Sequence, residues 1–153
     1  MTRTRLAFAA TLGSAGLLIA ALIFQYGLGM APCALCIWQR WPHLAAVVAG
    51  GISLAAPSLP VFLGGAAAAA TSGGIAFYHT GVERGWFEGP TACSGAGALT
   101  GQSIDDILTF ERSFVVVRCD EVPWEMLGLS MASWNGVASF ALAGIWLMAA
   151  RRA

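Results

Sequence analysis

From Leu6 to Leu28 the chain reads LAFAATLGSAGLLIAALIFQYGL, without one charged side chain and with only Gln25 strongly polar. A helix that crosses the hydrocarbon core of a bilayer needs about 20 mostly apolar residues, and this stretch supplies them. Arg3 and Arg5 precede it, as in a secretory leader. The apolar run is too long for a typical leader core, however, and no small-x-small cleavage site follows it cleanly, so the segment is expected to be retained. Pro32, just ahead of Cys33, likewise stands where a lipoprotein cleavage site requires a small residue. Three further stretches have the same character: Ile37–Ala56, with ionisable side chains only at Arg40 and His43 near its start; Val61–Thr80, rich in small residues and with His79 near its end; and Met131–Ala150. Pro57-Ser58-Leu59-Pro60 leaves room for a tight turn between the second and third.

The whole composition agrees. Of 153 residues, 58% are hydrophobic and 10% charged, and mean hydropathy is +0.71; a soluble domain carries roughly 25% charge. Lys plus Arg balance Asp plus Glu at 8 each, which argues against a nucleic-acid binder. The expected fold is therefore an all-α integral membrane protein: one domain over residues 1–153, an antiparallel bundle of four transmembrane helices at about 6–28, 37–56, 61–80 and 131–150.

Charge placement orients the bundle. Arg3 and Arg5 lead the first span and Arg151 and Arg152 follow the last, whereas all eight acids lie between Glu83 and Glu125, beside only three arginines. The positive-inside rule then puts both termini in the cytoplasm. The loops at about 29–36 and 81–130 face outward, to the periplasm of a bacterial cell. Trp38, Trp41, Trp86, Trp124 and Trp134 fall near that outer boundary, where indole rings commonly settle. Within the longer loop, Ile104, Ile107, Leu108, Phe110, Phe114 and Val115 gather on one side of a helical projection, with Asp105, Asp106, Thr109, Arg112 and Ser113 opposite. A short amphipathic helix lying in the membrane surface is expected there. The alanine- and glycine-rich run from Gly64 to Gly74 reads as a close helix contact.

All four cysteines, Cys33, Cys36, Cys93 and Cys119, fall on the outer side or at its edge. An oxidising compartment favours disulfides, and four cysteines allow three pairings that spacing alone does not decide. A Cys93–Cys119 bond would serve as well for a structural staple as for chemistry. Cys33-Ala34-Leu35-Cys36 is different, because a C-x-x-C ring constrains little chain and is the recurring form of redox dithiols. Pro32 suits the first turn of a helix, where unpaired N–H groups stabilise a thiolate. Arg40 shares a helix face with Cys33 and Cys36; it either assists that chemistry or snorkels to lipid headgroups. His79 lies at similar depth and, taken alone, is more often an interfacial histidine than a catalytic one. Structural zinc favours two closely spaced pairs, and Cys93 and Cys119 are too far apart in sequence for that, so no metal is expected. One dithiol at the membrane edge and another on a loop suggest a relay between a water-soluble protein and a lipid-soluble acceptor, a quinone being the plausible one.

The run Cys33-Ala34-Leu35-Cys36-Ile37-Trp38-Gln39-Arg40, the later pair Cys93 and Cys119, and Trp124-Glu125-Met126-Leu127-Gly128-Leu129-Ser130-Met131 together resemble the disulfide bond formation protein B (DsbB) family over essentially the whole chain. The resemblance implies a thiol oxidase of the bacterial inner membrane. A reduced, DsbA-like thioredoxin-fold partner would attack a Cys93–Cys119 disulfide at Cys93. Electrons would pass to Cys33 and Cys36 through a transient Cys33–Cys119 bond, and from Cys36 to ubiquinone or menaquinone beside Arg40 and His79. Such a partner is itself a strong oxidant, near about −120 mV, so a quinone acceptor is what draws the sequence forward. Two departures bear on the quinone site: Gln39 stands where the family pattern often has Glu, and Pro42 is expected to interrupt the helix just after the site. Competing readings are a vitamin K epoxide reductase type of oxidoreductase, disfavoured because its C-x-x-C lies late in the core; a DsbB relative with a dedicated partner; and a non-enzymatic, disulfide-stapled scaffold.

Overall fold

A computed structural model describes residues 2–90, 93 and 117–152, and these are mostly helical. Helix α1 spans Arg3–Leu22 and is capped by the Thr2 hydroxyl, which accepts from the Arg5 N–H; it runs into a π-helical turn over Ile23–Gly27. Helix α2 covers Ala34–Ala55, α3 Leu59–Glu83 and α4 Met131–Ala150. Ahead of α4, strands β1 (Glu125–Met126) and β2 (Leu129–Ser130) pair antiparallel. Their two-residue connection, Leu127 at φ 55° and Gly128 at φ 77°, has the positive φ at both positions that tight hairpins require. The Trp134 ring N–H donates to the Met126 carbonyl and ties this hairpin to α4. The amphipathic helix expected over Ile104–Val115 lies outside the described residues.

Among the described residues, three segments are long and apolar enough to cross a membrane: Arg3–Gly27, Leu59–Glu83 and Met131–Ala150. Helix α2 is not among them, because Gln39, Arg40 and His43 break its apolar run. Packing nonetheless joins all four helices in a ring, α1 on α2, α2 on α3, α3 on α4 and α4 on α1. Leu6, Ala7 and Ala10 at the start of α1 share a core with Trp146, Ala149 and Ala150 at the end of α4, so both termini lie at one end of the bundle. The arrangement inverts a soluble core. Ser14, Ser53, Ser72 and Ser139 are buried, while Leu12, Ile19, Val48, Leu54, Leu63, Phe77 and Phe140 face outward. Helices in lipid pack on small residues and present large apolar ones to the acyl chains.

Two local expectations are corrected. Pro32 precedes the helix instead of sitting in its first turn, since Cys33 is the N-cap of α2. Pro42 does not interrupt α2, which continues through it to Ala55; packing against α1 and α3 holds the helix across the missing N–H.

Close approach to a rigid indole constrains Gly65. A Cβ on Gly65 would stand 2.6 Å from the Trp146 indole, whereas one on neighbouring Gly64 meets nothing within 4 Å. Gly65→Val is therefore expected to cost about 1–3 kcal/mol through overpacking and to lower the thermal unfolding midpoint in detergent. Gly64→Val is the control and should leave the midpoint near that of the wild type; equal midpoints for both variants would refute the contact.

Candidate functional site

The end of the bundle opposite the termini gathers the chemistry. Cys33 closes the start of α2: its sulfur accepts a hydrogen bond from the Cys36 N–H at 3.2 Å, taking the place that a serine or aspartate oxygen fills in an ordinary cap. The Cys33 thiol points its hydrogen at Cys36, with the sulfurs 2.9 Å apart. That donated hydrogen bond, together with burial, pushes the Cys33 thiol well up from its ordinary value. Within the pair, Cys33 is thus the sulfur that keeps its proton. Both cysteines are free thiols, Cys33 buried and Cys36 partly exposed.

Cys93 and Cys119 form a disulfide, which decides among the three pairings. Both are buried, and they pack in one cluster with Cys33, Leu35 and Val82. His79, near the end of α3, reaches the same place. Its Nε2 lies 3.6 Å from the Cys33 sulfur, and the two thiol sulfurs and a ring nitrogen of His79 all fall within 4.8 Å of one another. These three donors stand close enough to chelate a soft cation as well as to move protons.

Arg40 lies one turn below Cys36, where its Nη1 donates to Gln25 Oε1 of the π-helical turn at 2.6 Å. A cavity of about 500 Å³ opens beside it, with Cys36, Arg40, His43 and His79 in its wall and Leu17, Ala21 and Phe24 supplying apolar surface. The Phe24 ring meets Trp124 at 5.6 Å between centroids, so the hairpin side and α1 meet over the cavity. Its volume and lining suit a flat ring bearing carbonyl oxygens: apolar walls with a few convergent polar groups, among them a cationic N–H donor and a thiol.

Structure adds residues that sequence reading left without a role. Gln39 hydrogen-bonds His79 across the α2–α3 interface at 2.9 Å, and Asn135 of α4 donates to Gln39 Oε1 at 2.7 Å. His43 reaches Asn135 at 3.0 Å. Glu83, one turn beyond His79, takes a hydrogen bond from the Ser130 hydroxyl and places an oxygen 3.8 Å from His79 Nε2. A signal existed for each. Asn135 is the one carboxamide in the last apolar span, Met131–Ala150, and Glu83 stands four residues after His79, hence on its face.

Comparison with known proteins gives the family. The family model described as disulfide bond formation protein DsbB matches residues 3–149. The chain is 32% identical to disulfide bond formation protein B of Pasteurella multocida, covering 80% of this chain and 70% of that protein. Against the protein of the same name from Shewanella frigidimarina the identity is 30%, over 90% and 83% of the two chains. Against disulfide bond formation protein B 2 of Pseudomonas aeruginosa it is 35%, over 78% and 75%. No solved structure gives a significant match. With a matching model over nearly its whole length and two cysteine pairs packed together at one end of a membrane-type helix bundle, the chain belongs to the DsbB family of disulfide bond formation proteins.

Proposed function

We propose that the protein is a thiol oxidase of the bacterial inner membrane, with α2 as a fourth span in a single membrane domain, both termini cytoplasmic and the cysteines periplasmic. It reoxidises a DsbA-like thioredoxin-fold partner and delivers the electrons to ubiquinone or menaquinone. The observation that carries this reading is the packing of two cysteine pairs against each other, one of them a disulfide and the other set in the wall of an apolar cavity. A scaffold has no use for free thiols there.

The chain's own groups do the following. Cys93 takes the attack of the partner thiolate, and Cys119 leaves. Once Cys33 and Cys36 have given their electrons to the quinone and formed a disulfide, the Cys119 thiolate, packed beside Cys33, attacks that disulfide at Cys33; the Cys33–Cys119 bond forms and Cys36 leaves as a thiolate. Cys36 faces the cavity at the helix N-terminus, where backbone N–H groups favour negative charge. Arg40 would hold a quinone oxygen, and His79 lines the same wall. A bound quinone supplies the acceptor of two electrons and two protons.

The test is a stoichiometry. Purified protein, given a reduced DsbA-like partner and a short-chain ubiquinone, should consume one quinone per partner dithiol oxidised. Mixed-disulfide formation without quinone loss would sink the acceptor assignment alone, and no reaction at either end would favour the scaffold.

A further inference from the structure

We propose that His43, Asn135 and Gln39 form a one-way chain of hydrogen bonds that sets the tautomer of His79, so that its Nε2–H faces Cys33 and holds the charge that sulfur carries when it leaves Cys119. The proposal rests on the thiol relay above and adds three positioning residues to it.

The direction of the chain follows from its partners. The Ser72 hydroxyl spends its single hydrogen on the Gln39 backbone carbonyl at 3.1 Å. Toward Asn135, 3.3 Å away, it is left with lone pairs only, so the Asn135 amide nitrogen is the atom that faces it. That orientation gives the second Asn135 hydrogen to Gln39 Oε1 at 2.7 Å and turns Asn135 Oδ1 to His43, whose Nε2 therefore carries a hydrogen. With its oxygen occupied, Gln39 presents its amide nitrogen to the Leu35 carbonyl at 3.2 Å and to His79 Nδ1 at 2.9 Å. A ring nitrogen that accepts from an amide holds no hydrogen of its own, so the His79 hydrogen sits on Nε2. Among the described residues, the side-chain neighbours of Nε2 accept: the Cys33 sulfur lies at 3.6 Å and a Glu83 oxygen at 3.8 Å.

Each link donates toward the sulfur, and aligned hydrogen bonds polarise one another in a buried setting. In the step that restores the loop disulfide, the Cys93 thiolate forms a bond to Cys119, the Cys33–Cys119 bond breaks, and its electron pair departs on Cys33. The Cys36 N–H and His79 Nε2–H then both donate to that thiolate, and no proton needs to move. A carboxylate in place of Gln39 would reverse the ring, because it can only accept, and the hydrogen would move to Nδ1.

Long-range 1H–15N correlation of the full-length, histidine-labelled protein in nanodiscs reads the tautomer with neither partner nor quinone present. The expected result is Nε2–H in the wild type and Nδ1–H in both Gln39→Glu and the near-isosteric Asn135→Asp, with helix content unchanged by circular dichroism. Electron transfer from the partner to the first cysteine pair, followed without quinone by acid quenching and thiol labelling, should slow about tenfold in both variants, as loss of one charge-assisted hydrogen bond predicts. Nδ1–H in the wild type, or Nε2–H retained in both folded variants, would overturn the proposal; so would an inverted tautomer with unchanged transfer. A wild type that exchanges no thiols with any partner would instead overturn the relay, a result separate from the tautomer.

Discussion

Cys36→Ser is expected to stop quinone reduction, by about a thousandfold or more, while leaving the Cys93–Cys119 disulfide open to attack. The expectation follows from the division of labour between the two thiols. Cys33 is the buried N-cap, and its hydrogen is committed to Cys36. Cys36 is the more exposed of the two and lies in the cavity wall with Arg40. A serine hydroxyl keeps the size and the polarity but forms no disulfide and is no thiolate, so both the exchange with Cys33 and the delivery of electrons are lost together. The loop pair, joined to each other and not to Cys36, keeps its reactivity. A reduced partner should thus accumulate as a mixed disulfide at Cys93 in the variant, seen on a non-reducing gel, while quinone absorbance stays constant. Turnover within tenfold of the wild type would show that Cys33 or another group meets the acceptor.

Much of this protein was legible before any coordinates. Leu6–Leu28 and Met131–Ala150 announce spans by their lack of charge, and the second coincides with α4 to the residue. Cys33, Cys36, Arg40 and His79 could be picked out because a thiol pair, a cation and an imidazole are out of place in so apolar a chain, and the structure brings all four to one cavity. What stayed hidden depends on how helices distant in sequence are set against each other. Asn135 meets Gln39 only because α4 and α2 both pack on α3 at that depth. Glu83 matters only because the end of α3 and the hairpin before α4 bring Ser130 to it. Spacing along one helix predicts neighbours on that helix, not partners across the bundle. The proline readings failed for a related reason: Pro42 weakens one turn locally, yet tertiary packing carries α2 through it.

Arg40→Met should raise the KM for quinone by about a hundredfold, within what loss of a hydrogen bond to a charged group supplies, and leave the rate of partner attack at Cys93 unchanged. A guanidinium carries five N–H donors in a fixed fork, and Gln25 Oε1 takes one of them. The Gln25 contact holds the head of the side chain at the cavity, one turn below Cys36 on the same helix face. Methionine fills similar space and keeps the apolar stem, so the change removes donors and charge with little loss of packing. Because Cys93 and Cys119 are not among the residues that line the cavity with Arg40, the first exchange does not sense it. Gln25→Leu should produce the same effect at smaller size, about fivefold, since the cation remains but is no longer held in place. Measuring quinone saturation and partner attack separately distinguishes this from mere anchoring: an arginine that only snorkels to lipid headgroups would leave KM unmoved in both variants and show instead in thermal stability. A rise in KM in Arg40→Met, graded through Gln25→Leu, is what assigns the guanidinium to the acceptor.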